Sequence, residues 1–421
     1  MPRSCSRSRS DSRSRSRSRS RSWLTVALVL LCFVGPLSTD MYLPAFPEMA
    51  AELRTDASGV QLTLTSFLAG MTAGHLVLGP LSDRYGRRGP LLAGAAVCAV
   101  ATALCAVAPG PGWLIVLRFV AGFSGAAGVV IGRAVVADVA QGAAAARLFG
   151  ILMTLSGTAP VLAPLAGGAV IGAAGWRGVF WVLAGVALLV TAAVVVAVPE
   201  SLPPSRRRRG SGGELLRTVR EVAGDGAYVG YTLAYACAFG TLFCYIAGSP
   251  FLLQNVLGLS VGVSSVTFAG GAVCTALAGA VTTRLAGRIA PERLLRTGVR
   301  TVLAGTVSLL AAAVAGVLTV AGCLVSMAVV CAGLGLVLTN ATSLALARVP
   351  SAAGTASALL GTAQSALGAV VAPLAGLGGA DTAVPLFTVM TACGAGAVGA
   401  ARWAGRVRMR VRVRVHVRAE G

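Results

Sequence analysis

Long apolar runs separated by short polar turns recur along almost the whole chain, and their length decides what they can be. Each run holds about 20 residues, the helical length that crosses a hydrocarbon layer about 30 Å thick. The runs fall at roughly 23–45, 58–80, 89–108, 112–138, 147–172 and 176–198. Six more follow at roughly 227–248, 262–284, 298–318, 321–343, 354–378 and 383–403. Inside lipid each span must satisfy its own backbone, so the pattern predicts an all-α polytopic membrane protein with twelve transmembrane helices. The longest polar interruption, 199–226, carries Pro203-Pro204-Ser205 and Arg206 to Arg209 and divides the spans six and six. The expected organisation is a tail over 1–22, a first half over 23–198, a linker over 199–226, a second half over 227–403 and a tail over 404–421.

Composition supports this and removes several chemistries. Of 421 residues, 56% are hydrophobic and only 12% charged, where a soluble domain carries about 25% charge. All 35 basic residues are arginine. Without lysine there is no G-K-[ST] phosphate loop and no Schiff-base chemistry, so any transport would not run on ATP hydrolysis within this chain. The ten cysteines form no C-x-x-C pair and no metal-spaced cluster; Cys32, Cys98, Cys105, Cys237, Cys274 and Cys323 sit in apolar runs and read as small hydrophobes. No Ser/His pair, paired carboxylates or metal constellation suggests an enzyme, and neither metal nor cofactor is expected.

The formal charge of +21 is an orientation signal. Arginines crowd the two tails and alternate loops, including Arg147, Arg206 to Arg209, Arg217, Arg220, Arg284, Arg288 and Arg348, while the intervening loops keep Arg54 and Arg177. Both termini are therefore expected in the cytoplasm. The Ser/Arg repeat of 1–22 reads as a solvated tail, with no nucleic-acid partner expected. The run Arg406-Val407-Arg408-Met409-Arg410 alternates like a strand and, being basic, suits lipid headgroups.

The densest polar turn is Gly79-Pro80-Leu81-Ser82-Asp83-Arg84-Tyr85-Gly86-Arg87-Arg88. Its charges belong at an aqueous face, where the glycines allow a tight bend and the ionised groups can bind helix ends and each other. A weaker copy, Gly279-x-x-x-x-Arg284 with Gly287 and Arg288, lacks the aspartate, and Pro160-x-x-x-Pro164-x-x-Gly167 is echoed by Pro373-x-x-Gly376. Such an internal repeat fits two parallel halves with a midplane site between them.

Asp40 is a candidate functional group because a carboxylate inside a span is costly. At 1.5 Å per residue it lies about 25 Å along its helix from Trp23, and Arg118 lies about 8 Å from Trp113 on the descending fourth span. Similar depth suggests one electrostatic network, with proton uptake at Asp40 alternating with binding of a cationic or polar compound. A structural cap near the outer boundary is the other reading of Asp40. Arg133 and Asp138 read as anchors at the inner face. In the fifth span, Gly157, Pro160, Pro164, Gly167 and Gly168 free backbone groups and flatten one face, allowing a kink and close packing. His75, in the second span, is either a second protonatable group or a hydrogen-bonded buried histidine. Tyr42, Gln61, Phe67, Tyr231, Tyr235, Tyr245, Gln254, Asn340 and Gln364 are candidates for a cavity or its mouth.

The turn G-P-L-S-D-R-Y-G-R-R closely resembles the cytoplasmic loop between helices 2 and 3 of the major facilitator superfamily. Arg118 to Gly128 resembles that family's fourth-helix motif, whose arginine is tied to proton coupling. Gly157 to Gly168 resembles the antiporter-associated motif of its drug exporters. With S-T-D-M-Y-L-P-A-F-P-E-M-A-A-E-L (38–53) and G-T-A-S-A-L-L-G-T-A-Q (354–364), residues 23 to 403 resemble the Bcr/CflA branch of multidrug facilitators. His75 is a departure, since glutamine is frequent there. The resemblance implies the major facilitator fold in a bacterial inner membrane and export of drugs such as bicyclomycin, chloramphenicol or sulfonamides by a monomer. It implies the proton gradient as energy source, rocking of the two halves, and a latch at Gly79, Asp83, Arg84, Gly86, Arg87 and Arg88. The remaining readings are transport of a physiological metabolite on the same fold, or a membrane sensor or scaffold that transports nothing.

Overall fold

The computed structural model describes residues 24–419 apart from 25, 32, 140–141, 207–211, 286–287, 350–352 and 378. The Ser/Arg tail, Arg207 to Arg209 and Gly287 lie outside the described residues, as do the side chains of Arg133, Arg147 and Arg206. Among the described residues there is helix and turn but no strand. The spans are α1 (Val26–Glu52), α2 (Ala57–Tyr85), α3 (Arg88–Ala106), α4 (Pro111–Val139), α5 (142–174) and α6 (176–197). A short α7 (Gly212–Gly224) precedes α8 (Gly226–Phe251), α9 (Val261–Arg284), α10 (Pro291–Val314), α11 (Val320–Leu346), α12 (Ala353–Ala375) and α13 (Val384–Ala419).

Eleven helical stretches are long and apolar enough to cross a membrane. One of them, Thr158–Ala197, has 40 residues and would run about 60 Å, twice the thickness of a bilayer core. Gly175 breaks it with φ 64° and ψ −174°, so α5 and α6 are two helices and the described spans number twelve. Only glycine is comfortable at this φ, and the turn has a further constraint: a Cβ there would lie 2.9 Å from Oε1 of Glu48. The same turn presents Trp176 Nε1 to Glu52 Oε2 at 2.5 Å and Arg177 Nη2 to Glu52 Oε1 at 2.8 Å.

Side chains at the aqueous ends start several helices. Asp56 accepts the Gly59 amide at 2.7 Å at the start of α2, and Asp225 accepts the Tyr228 amide at 2.8 Å at the start of α8. Ser260 and Thr319 cap α9 and α11 in the same way.

The first span is not the single helix its apolar run suggests. Helix ends at Asp40, the chain bends at Met41 and Tyr42, and a 3-10 turn (Leu43–Ala45) leads into a short helix (Phe46–Glu52). Pro44 and Pro47 explain the break, since each lacks an N–H and disfavours helix in the preceding residue. At the other end of the chain, α13 stays helical through Ala419, correcting the strand-like reading of the basic tail. Extending a helix already formed by Val384 to Trp403 adds a hydrogen bond per residue at no nucleation cost, whereas a lone strand has no neighbour.

Close contacts between glycine-bearing faces organise the packing. A methyl on Gly70 would fall on the carbonyl of Phe119, and one on Gly122 on that of Phe67, so α2 and α4 lie backbone to backbone. Helices α3, α4 and α6 close around Leu91, Ile131, Val190 and Val194. In the later part of the chain α8 packs on α11, α12 and α13, while α11 packs on α9 and α10. Two further pairings, α2 with α12 and α5 with α9, join the earlier helices to the later ones.

Candidate functional site

The α2–α4 contact fixes the surroundings of Arg118. Its guanidinium is 1% exposed and stacks over Phe67 of α2 at 4.1 Å and Tyr42 of α1 at 4.4 Å, with Phe180 of α6 at 5.8 Å. Among the described residues its Nη2 donates to the carbonyl of Ser38 at 2.8 Å. Its Nε is buried and unbonded among the described residues. Arg118 is thus a buried cation held by ring faces and one carbonyl, not by a carboxylate. Ring faces over a desolvated guanidinium contribute about 2 kcal/mol each at best, which offsets only part of its burial.

Asp40 is buried at the last helical residue before the α1 break, two positions from the carbonyl that Arg118 grips. Sequence depth brings the two to one level, and the structure links them through the Ser38–Asp40 turn. The ion pairs found among the described residues do not include an Asp40–Arg118 pair. Tyr42 completes this corner, its hydroxyl 3.3 Å from that of Thr63. The fifth-span motif meets the same place: a methyl at Gly167 would fall on the carbonyl of Met41, the residue after Asp40. At the next position a methyl on Gly168 would sit 2.5 Å from the Ser265 hydroxyl of α9. Helix α5 therefore touches the Asp40 turn with one glycine and a later helix with the other.

Three hydrogen bonds join α1 and α2 to α8 and α12 at the end where α1 breaks. Ser58 Oγ donates to Pro373 O at 3.1 Å, Gln61 Nε2 to Ala247 O at 3.2 Å, and Gln254 Nε2 to Pro44 O at 2.9 Å. Gln254 is delivered by a π-helical turn, Leu252–Val256, that extends α8. These bonds form a seam between the two groups of helices. Gln61 and Gln254 were legible only as polar residues in apolar runs; Ser58 carried no signal.

At the opposite end the charged turn is built around Arg87. Its Nη1 donates to Asp83 and to Ser82 Oγ at 2.8 Å, and its Nε to Asp138 Oδ2 of α4 at 3.2 Å. Glu200, just after α6, caps α3 by accepting the Arg87 amide at 2.8 Å and the Arg88 amide at 3.3 Å. Arg84 is exposed and lies over the Tyr85 ring, and Arg88 reaches only the Val195 carbonyl, so the loop's charges are unequal. Gly86 has φ 101° and ends α2. A second clamp joins Arg348, after α11, to Asp225 at the start of α8, at 2.8 Å. Burial pushes the Asp225 carboxyl up, but the bonds from Arg348 and the Tyr228 amide outweigh it and hold the group below the ordinary 3.8.

The other candidates lie apart from the Arg118 corner. Tyr231 is packed in the core of α8, Gln364 of α12 accepts the Tyr235 hydroxyl at 2.6 Å, and His75 is half-buried on α2. The contributions of Asp138, Glu200, Asp225 and Arg348 follow from chain folding alone, because their partners are far away in sequence.

Residues 28–373 match the family model described as Major Facilitator Superfamily. An uncharacterized MFS-type transporter of Bacillus subtilis, YdgK, is 36% identical over 87% of this chain and 91% of its own. A protein of Pseudomonas aeruginosa named for chloramphenicol resistance is 31% identical over 77% of each chain. A bicyclomycin resistance protein homolog of Haemophilus influenzae is 29% identical over 87% of this chain and 92% of its own. Among solved structures, a bacterial homologue of the human lysosomal transporter Spinster, inward-facing and unoccupied, superposes with a TM-score of 0.73 at 17% identity, covering 93% of this chain and 98% of that one.

Proposed function

Because the chain belongs to the Major Facilitator Superfamily, whose members are membrane transporters and not enzymes, we propose that it is a proton-coupled exporter of small drugs. In this reading the helices form two halves, 23–198 and 227–403, joined by the linker 199–226. Both termini and both charge clamps face the cytoplasm of a bacterium, the seam faces outward, and the chain works as a monomer with the proton gradient alone as energy source. The names of the curated relatives favour antibiotics as cargo.

The observation that carries the proposal is the buried Asp40, two residues from the carbonyl gripped by an Arg118 with no carboxylate partner among the described residues, at a backbone break packed against Gly167. A carboxylate there is attracted by the guanidinium; a neutral carboxyl is not. Proton binding and release at Asp40 thus change the pull on the α1 turn, and α5 passes that change to α9. Drug entering from the cytoplasm favours loss of the proton inward. Opening of the seam exposes Asp40 to outside protons, which favour drug release. The Arg87 cluster latches the cytoplasmic end of the first half.

Purified protein in liposomes provides the test. Added drug should evoke proton release that an uncoupler abolishes, and Asp40→Asn should still bind drug yet release no protons. Full proton-coupled export by Asp40→Asn would reject the role given to this residue.

A further inference from the structure

A cavity of about 240 Å³ lies within the later helices, away from the Arg118 corner. Its lining comes only from α8 with its π turn, α9 and α11: Tyr245, Leu253, Gly271, Cys274, Cys323 and Met327 are the residues that matter here. Two of its lining residues, Gly270 and Ala328, border exposed apolar surface. Gly270 interrupts an exposed apolar stripe of Val266, Val273 and Leu277 on α9, and Ala328 lies between exposed Val325 and Val329 on α11. Such stripes belong against acyl chains rather than water.

The floor is polar at one point. Tyr245 is 3% exposed, its ring is stacked on Phe268 at 5.5 Å, and it is the one phenol that lines the cavity. The hydroxyl sits over Gly271, where an added Cβ would lie 3.0 Å from it, and is flanked by the Cys331 sulfur. A phenol O–H facing an apolar cavity gains from an acceptor, and an acyl chain there offers none. A carbonyl or ether oxygen on a compact apolar molecule would satisfy it. The volume is below the usual span for drug pockets, about 300–1,000 Å³, which restricts the guest to one or two rings.

We propose that this cavity is a second binding site, for compact apolar molecules that partition into the membrane and carry one hydrogen-bond acceptor for the Tyr245 hydroxyl. Occupancy also acts on the seam. Leu252 and Leu253 of the cavity wall belong to the π turn that carries Gln254 to Pro44, and Leu253 also borders the small space beside Pro44, Ser249 and Phe268. A guest braces that turn from behind and favours the closed seam.

Benzophenone, an apolar ketone that inserts into nearby C–H bonds under ultraviolet light, is a suitable probe for the full chain in nanodiscs. Labelling should saturate and map to Met327, Leu324 and Leu253. Tyr245→Phe should weaken benzophenone about fivefold, the usual weight of one hydrogen bond, while leaving competition by diphenylmethane, which lacks the carbonyl, unchanged. Ala328→Phe, which fills the mouth from another helix, should abolish the labelling. Unsaturable labelling spread over Val266 and Leu277, equal affinity in Tyr245→Phe, or labelling retained in Ala328→Phe would each overturn the proposal. Displacement of benzophenone by phospholipid alone would also overturn it, by making the cavity an acyl-chain groove.

Discussion

Arg118 has one carbonyl partner and two close ring faces, so each of them carries much of what keeps a cation inside lipid. Losing one cation–π contact of a desolvated guanidinium costs about 2 kcal/mol. Phe67→Leu should accordingly lower the melting temperature of purified protein measurably, and more than Phe67→Tyr, which keeps the ring. Equal melting temperatures for Phe67→Leu and wild type would show that the rings do not hold Arg118. Within the charged loop the same logic separates neighbours. Arg87 bridges Asp83 and Asp138, whereas Arg84 is exposed, so Arg87→Ala should impair liposome transport far more than Arg84→Ala. The sequence offered both arginines on equal terms.

Among the elements, α5 depends on side chains it does not have. Gly167 lies against the Met41 carbonyl and Gly168 near Ser265. Gly167→Val would force α5 away from the Asp40 turn, and overpacking of this kind costs about 1–3 kcal/mol. The expected result is protein still found in the membrane that exports no drug, checked by membrane level and uptake assay together. Wild-type export by this variant would remove α5 from the coupling path. The start of α8 depends on Asp225, which caps the helix and pairs with Arg348. Its carboxyl is held below its ordinary value, so its stabilisation is complete above 3.8 and fades as pH falls through the lower folded value. Asp225→Asn, which keeps a capping side chain, should lower stability by about 0.5–1 kcal/mol at pH 7 through loss of the partly exposed ion pair with Arg348. Near pH 2 the melting temperatures of the two proteins should converge; a gap that persists there would exclude ionisation as the cause.

Over the whole molecule, the seam is held by few and incomplete bonds. Gln61 donates to Ala247, but its own carbonyl oxygen is buried without a partner among the described residues, and it leaves no room for a Cβ at Gly376. Alternating access, as proposed above, requires a seam without strong attachments, and three neutral hydrogen bonds of about 1 kcal/mol each suit that requirement. If the seam opens as proposed, Gln61→Ala should shift the closed-to-open ratio about fivefold, read as a change in distance distribution between spin labels on the seam ends of α2 and α12. An unchanged distribution would mean that Gln61 does not hold the seam.

Sequence by itself determined the twelve apolar lengths and the charged turn at Gly79 to Arg88, because bilayer thickness and the cost of buried charge act on each segment locally. It also pointed to Asp40 and Arg118, since an ionised residue inside a span stands out without any fold. The tertiary structure alone decided which carbonyl Arg118 grips, that Gly167 is the residue laid against the Met41 carbonyl, and that Glu200 caps a helix more than a hundred positions earlier. Those outcomes depend on which helix faces lie together, and an alternation of apolar and polar residues does not encode the neighbours of a face that is apolar all round.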